Sequence, residues 1–397
     1  MHRAKSFLLL IVPLLATVAG AETLRADDPG VVAFETGLID RMQRGEEHAP
    51  RHTIEARLAH YGVPGAAVAI FEDGEIVWQR GYGTRLAGAD EPVNADTVFS
   101  VGSISKMVNA ALVLRLVAEG RLDLDTDVNE YLESWQVPES LYSRDEAVTL
   151  RRILAHTAGF NVHGFADYQP GEPLPTTVQI LEGSGPAKND PVRLTFEPGD
   201  HLDYSGGGIT VSQLVVEDVT GMRYADAARK YVFEPLGMSR STFENPLPAD
   251  HGNIARAHDD RGRPTALPRG FEAMPEQAAS GLWTSANDLA RFVLALLDDE
   301  AFLPQSLRED MLTREANSWH GLGPRINGAG ETLVFHHGGA NDSYRARMEG
   351  QVATSSGIVV LTNGTEGHWV HSEIRKSAED AFGWRIKSDG GFEEPEF

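Results

Sequence analysis

Ser103 and Lys106 stand three residues apart at the head of a run, 107–118, that is apolar except for Asn109 and Arg115. Residues at that spacing share one face of a helix, and a helix apolar on nearly all sides is a buried one. The pattern therefore predicts a lysine turned toward a core beside a serine. Serine is a weak nucleophile until a base takes its proton. Lysine can be that base when burial or a neighbouring positive charge weakens its hold on its own proton. A helix start adds unpaired backbone N–H groups and the positive end of a dipole, both suited to an oxyanion. The plain alternative is a helix cap followed by a lysine whose stem lies on apolar surface. With 22 serines and 6 lysines in 397 residues, Ser-x-x-Lys arises by chance in about one such chain in three, so the pair alone does not decide.

Two later segments add chemistry. Tyr204-Ser205-Gly206 follows Phe196-Glu197-Pro198-Gly199 and precedes a helical pattern, which places a phenol at a loop end; a half-buried core tyrosine is the alternative. His336-His337-Gly338-Gly339-Ala340-Asn341 closes a strand-like run, and its glycines permit close backbone approach by a ligand; ordinary strand-end histidines are the alternative. In order and surroundings the three segments resemble the serine β-lactamase and penicillin-binding protein superfamily. The likeness is to its branch of class C β-lactamases, D-alanyl-D-alanine carboxypeptidases, D-aminopeptidases and family VIII esterases. Ser103-Ile104-Ser105-Lys106 stands as the Ser-x-x-Lys element, Tyr204-Ser205-Gly206 as Tyr-x-Asn, and His337-Gly338-Gly339 as Lys-Thr-Gly. Leu154-Ala155-His156-Thr157-Ala158-Gly159, Glu234-Pro235-Leu236-Gly237-Met238 and Ala279-Ser280-Gly281-Leu282-Trp283 match as framework, so His156 is read as structural.

The resemblance implies that Ser103 attacks a carbonyl to form an acyl-enzyme while Lys106 and Tyr204 share the proton work. It implies an oxyanion hole from the N–H groups of Ser103 and Ala340, with Gly338 and Gly339 lining the substrate. His337, in the place of the motif lysine, would supply a hydrogen bond or a positive charge. Histidine there is familiar from the peptidases and esterases of the branch, which points away from a dedicated β-lactamase. Gly206 replaces the asparagine that helps hold the substrate amide and the lysine. A non-catalytic penicillin-recognising sensor or binding protein is the rival reading.

The elements that must position these residues are legible in outline. Residues 54–61 carry helical spacing and end at Gly62-Val63-Pro64-Gly65; 66–71 and 75–82 read as a hairpin about Glu72-Asp73-Gly74. Short helices are expected at 150–155 and 209–220, the latter stopped by Gly221, and an amphipathic surface helix opens with a capping box of Ser285 and Asp288. Strands follow at 332–335, 344–350 and 357–362, then a helix from about 368 to 382. Residues 165–200 are rich in Pro and Gly and read as a long loop, a lid or cleft wall. Strands near both ends and helices between them predict an α+β fold of the β-lactamase/transpeptidase type: an antiparallel sheet flanked by helices (about 50–100 and 255–385) plus a mostly helical lobe (about 101–254).

Composition bounds the rest. Residues 1–21 combine Arg3 and Lys5, an apolar run and Ala19-Gly20-Ala21, the pattern of a cleaved secretory signal, so a secreted or periplasmic protein is expected. The run is too short and too broken by Pro13 to favour a stable membrane anchor. With no cysteine there is neither a disulfide framework nor a lipidated cysteine. A net charge of −23 argues against nucleic acid and anionic lipid as partners, leaving a small-molecule or peptide-like substrate. Residues 386–397 read as an acidic tail. No Gly-x-Ser-x-Gly elbow is present, and His48 with His52 or His368 with His371 makes no recognised metal pattern, so neither a metal nor a cofactor is expected.

Overall fold

In the run from Ala66 to Phe71, alternate side chains must leave opposite faces of a strand. Ala66, Val68 and Ile70 enter one core and Ala67, Ala69 and Phe71 another. Ile358 and Val360 divide from Val359 and Leu361 in the same way. Because both faces are covered, these strands read as continuous apolar runs and not as alternating ones. The structure is a computed structural model that describes residues 23–46, 48–169, 171–265 and 273–384. The expected signal segment and acidic tail lie outside the described residues.

Helix α1 (Ile54–Tyr61) is capped by the Thr53 hydroxyl and closed by a left-handed Gly62. Strands β1 (Gly65–Glu72) and β2 (Glu75–Gly83) form the expected hairpin. Helices α2 (Ser105–Ala118) and α3 (Gly206–Thr220) belong to the helical part of the chain. Helix α4 (Ala286–Asp298) leads back to strands β3 (Arg325–Asn327), β4 (Val334–Asn341), β5 (Tyr344–Gln351) and β6 (Ser356–Thr362), and α5 (Gly367–Phe382) ends the fold. The six strands make one antiparallel sheet in the order β2-β1-β6-β5-β4-β3. Helices α1 and α5 pack on one face and α4 on the other, where its buried side joins the same core as α2. A two-residue ladder, Phe99–Ser100 against Trp283–Thr284, ties the entry of α2 to the entry of α4.

Three expectations need correction. The segment 165–200 is not one loop: Thr176 and Gln179 form a reciprocal capping box that starts a helix, Thr177–Glu182, ended by left-handed Gly183. At α4 only half of the capping box forms. Ser285 Oγ accepts the Asp288 N–H (3.2 Å), but the Asp288 carboxylate accepts instead from the Arg240 N–H and the Ser241 hydroxyl. The strand expected to close near 335 runs on through His337, Gly338 and Gly339 to Asn341, because β5 pairs with it along its whole length.

Beneath α5 the sheet buries a charge. Arg347 and Arg375 both donate to Glu349 Oε1, at 2.7 and 2.8 Å. Burial pushes the Glu349 carboxyl up, but the charges of Arg375 and Arg347 outweigh it and hold it down at about 2. A carboxyl held below its ordinary 4.5 stabilises the fold above that pH and loses the contribution as pH falls toward 2. Glu349→Gln removes the charge shared by the buried Arg347 and the partly exposed Arg375, so denaturant unfolding at pH 7 is expected to show a loss of about 3–5 kcal/mol. That deficit narrows when the same pair of proteins is unfolded at pH 3; a constant deficit contradicts the ionic account.

Candidate active site

Val101 to Ile104 bring the serine to the sheet. The Val101 N–H donates to Leu282 O (3.1 Å). Gly102–Ile104 then form one 3-10 turn that runs straight into α2, so Ser103 precedes the α-helix instead of opening it. Ser105 Oγ holds the turn from behind, donating to Gly102 O (2.6 Å) and accepting from the Leu282 N–H (2.9 Å). In front, β3 pairs with β4 only as far as His336, which leaves the edge at 337–341 to face the turn. The approach there is backbone on backbone. A Cβ on Gly102, whose φ is +49°, would lie 2.7 Å from Ala340 N; one on Gly339 would lie 1.8 Å from Val101 O and 3.2 Å from Ser103 N. The N–H-bearing atoms of Ser103 and Ala340 thus occupy facing backbones, and Asn341 Nδ2 donates to Ser100 Oγ (2.5 Å) to pin the strand end.

Lys106 is 2% exposed, as the apolar run predicts. Its Nζ donates to Ser103 Oγ (3.1 Å) and to Ala279 O (2.9 Å) and lies 4.8 Å from the centre of the Tyr204 ring. No carboxylate among the described residues pairs with it. Asn109, the polar break in the run, is satisfied inside the core: its Nδ2 donates to Ser212 Oγ of α3, and its Oδ1 accepts from the buried Tyr224 hydroxyl. That bridge orients the helix carrying Lys106.

Tyr204 lies just before α3, whose first turn is capped by Ser205 Oγ accepting from the Gly208 N–H (2.9 Å). The helix therefore starts three residues earlier than its apolar periodicity suggests, at Gly206. Four imidazoles surround the phenol ring, with centres 4.2 Å (His156), 5.0 Å (His163), 6.0 Å (His320) and 6.4 Å (His337) away. The spacing reading missed His156, His163 and His320. Only the Leu154 to Gly159 framework carries a signal for one of them, His156.

His337 differs from its expected surroundings. It is 1% exposed within the strand, and its Nδ1 donates to Gly338 O (2.6 Å). Burial, Arg325, His320 and Lys106 keep its ring well below the ordinary histidine range, so it is neutral and offers no positive charge. His156 is neutral for the same kind of reason, through burial, His320 and Lys106. Gly206 also has a local cause: its N–H donates to His163 O (3.0 Å), and a Cβ would meet that oxygen and the Phe165 ring at 3.0 Å. The segment before 170 fills the space an asparagine would need. Further along the same wall, burial and Asp342 push the Asp167 carboxyl up to about 7.

A serine hydroxyl on a buried, carboxylate-free lysine, beside a tyrosine and an open strand edge, is the arrangement of a serine hydrolase. The profile of the Beta-lactamase family matches residues 50–381, and the chain belongs to that family. It is similar to penicillin-binding protein 4 of Amycolatopsis lactamdurans (29% identical over 249 residues, 62% of each chain). It is similar too to esterase EstB of Burkholderia gladioli (28% over 302 residues, 67% of this chain and 73% of that one). D-aminopeptidase of Brucella anthropi matches at 25% over 338 residues, 79% of this chain and 56% of that one. The chain thus spans less than two thirds of the penicillin-binding protein 4 and D-aminopeptidase sequences. The fold is shared with the octameric penicillin-binding protein homologue from Pyrococcus abyssi, at a TM-score of 0.67 and 24% identity over 84% of this chain and 76% of that one. It is shared as well with EstCE1, a hydrolase with promiscuous acyltransferase activity (TM-score 0.65, 23% identity, 82% and 96% covered).

Gly339→Ala tests the backbone contact. Its methyl group cannot coexist with Val101 O at 1.8 Å, so β4 must withdraw from the Ser103 turn. Acylation of Ser103 by a fluorophosphonate, followed by intact mass, is expected to slow by about 10²-fold. An unchanged labelling rate contradicts the contact's role.

Proposed function

We propose that the protein is an exported serine hydrolase that cleaves a small ester or amide through an acyl-enzyme on Ser103, of the esterase or D-amino-acid peptidase type in preference to a dedicated β-lactamase. The observation that carries this is Lys106 Nζ, buried and bridging Ser103 Oγ and Ala279 O beside Tyr204. For this step Lys106 has to act as the free amine, one N–H staying on Ala279 O while the nitrogen lone pair takes the Ser103 proton. Ser103 Oγ then bonds to the substrate carbonyl carbon, whose oxygen takes the charge. The N–H groups of Ser103 and Ala340, on facing backbones, receive that oxyanion. Tyr204 lies beside Lys106 and passes the proton to the departing alkoxide or amine. Water, deprotonated by the same groups, attacks the acyl carbon, and cleavage of the ester bond to Ser103 Oγ restores the hydroxyl.

Substrate choice follows from charge. A neutral His337, with one nitrogen already used on Gly338 O, supplies no positive charge of its own to a substrate carboxylate. Uncharged acyl groups are favoured on that account, and the similarity to esterase EstB is consistent with it. The exported character rests on residues 1–21 alone.

Turnover of p-nitrophenyl butyrate, a chromogenic cephalosporin and a D-alanyl-D-alanine peptide by one preparation separates the substrate classes. The ester is expected to lead, and Ser103→Ala to lose at least about 10³-fold. An active Ser103→Ala protein overturns the nucleophile, whereas a lasting penicillin adduct on Ser103 without turnover favours a binding protein. Export predicts a processed protein outside the cytoplasm whose mass begins at Glu22; an intact Met1 form in the cytoplasm contradicts it.

A further inference from the structure

His156 follows the short helix Leu150–Leu154 and has φ +60°, the left-handed conformation that ends many helices and is normally given to glycine or asparagine. Ending that helix needs nothing from an imidazole. Yet the ring is 2% exposed and its centre lies 4.2 Å from that of Tyr204, tilted by 35°. The backbone around Tyr204 is held by the same residue from both sides. The Asp203 N–H donates to His156 O (2.9 Å), and the Ser205 N–H donates to His156 Nδ1 (3.2 Å). The His156 N–H in turn donates to Ile153 O (3.1 Å), which anchors the clamp to the helix. With Nδ1 accepting, the ring proton sits on Nε2. The charged and titratable groups about the ring include Lys106, His320, His337, Arg325 and Tyr204, with His163 on the same phenol and Asp203 next along the chain.

From this geometry we propose that His156 is a positioning residue for Tyr204. Its carbonyl and Nδ1 fix the N–H groups on either side of the tyrosine, and its ring face sets the phenol against Lys106. The inference rests on the acyl-enzyme reading of Ser103, Lys106 and Tyr204. A residue spent at a strained backbone position, buried and bonded to the flanks of one side chain, acts on that side chain. A role confined to the helix end would leave the chemistry of correctly folded molecules untouched.

The test is a double-mutant cycle on the full chain, read as the rate at which a fluorophosphonate labels Ser103 and as kcat for p-nitrophenyl butyrate per labelled site. Counting labelled sites removes molecules that fail to fold. His156→Gly keeps the left-handed backbone but loses the Nδ1 acceptor and the ring; kcat per site is expected to fall about 10²-fold with KM within about twofold. His156→Asn tolerates the same φ and places an amide oxygen near the Nδ1 position, so it is expected to recover about tenfold of that loss. In a Tyr204→Phe background the His156 substitutions are expected to change kcat per site by less than about twofold, because the group they act through is gone. Equal losses in both backgrounds, or an unchanged kcat per site with only fewer labelled sites, overturn the proposal. If His156→Gly yields no folded protein, His156→Asn carries the same cycle. Absence of labelling at Ser103 in the unsubstituted protein instead overturns the acyl-enzyme reading, and normal labelling that ignores His156 overturns only this inference.

Discussion

The site depends on one contact between main chains. A turn bearing Ser103 meets the open edge of β4, and neither Gly102 nor Gly339 has room for a Cβ. Two backbones can come this close only where side chains are absent on both sides. The rest of the architecture maintains that approach. The pairing of β3 with β4 stops at His336 and leaves the edge free; Leu282, held by Val101 and Ser105, sets the turn's depth; Asn341 ties the strand end to Ser100. Gly339 of the third motif is therefore a packing requirement.

Behind the turn, burial of Lys106 is made tolerable without a counter-ion. A lysine in a core normally requires a carboxylate or gives up its charge. Here Ser103 and Ala279 supply its hydrogen bonds, and the nearby imidazoles of His156 and His337 are kept neutral by burial and by the positive charges around them. Asn109, the polar group inside the helix, is paired with Ser212 and Tyr224. Rigidity and electrostatics come from the same packing.

The departures from the family's motif text have physical causes in this chain. Gly206 is favoured because the irregular segment at Asn161 to Phe165 runs against the start of α3, with the N–H groups of Gly206 and Gly207 bonded to His163 O and Val162 O. His337 is a ring buried in a paired strand, where a charged side chain would meet Arg325 and Lys106. Both changes alter the chemistry offered to a substrate's side chain and carboxylate, and neither disturbs the Ser103–Lys106 pair.

How far the sequence alone reached follows from the range of the interactions concerned. Local ones were legible: the apolar strand runs joined at Glu72-Asp73-Gly74, the Gly62 stop of α1, the buried helix after Lys106, and the serine and lysine sharing one face all depend on neighbours within a few residues. So was the fold class, since strands at both ends of a chain must share a sheet to bury their faces. What only the tertiary structure decided was long-range: that β4 continues through Gly339 because β5 pairs with it, that Ser103 precedes its helix in a 3-10 turn, that His337 is dry and neutral, and that His156 packs on Tyr204. Proton affinity and ring contacts are set by groups tens to hundreds of residues away, and residue type at one position holds no record of them. The sequence by itself determined which atoms could react; the packing of distant segments decided which of them meet, and in which charge state.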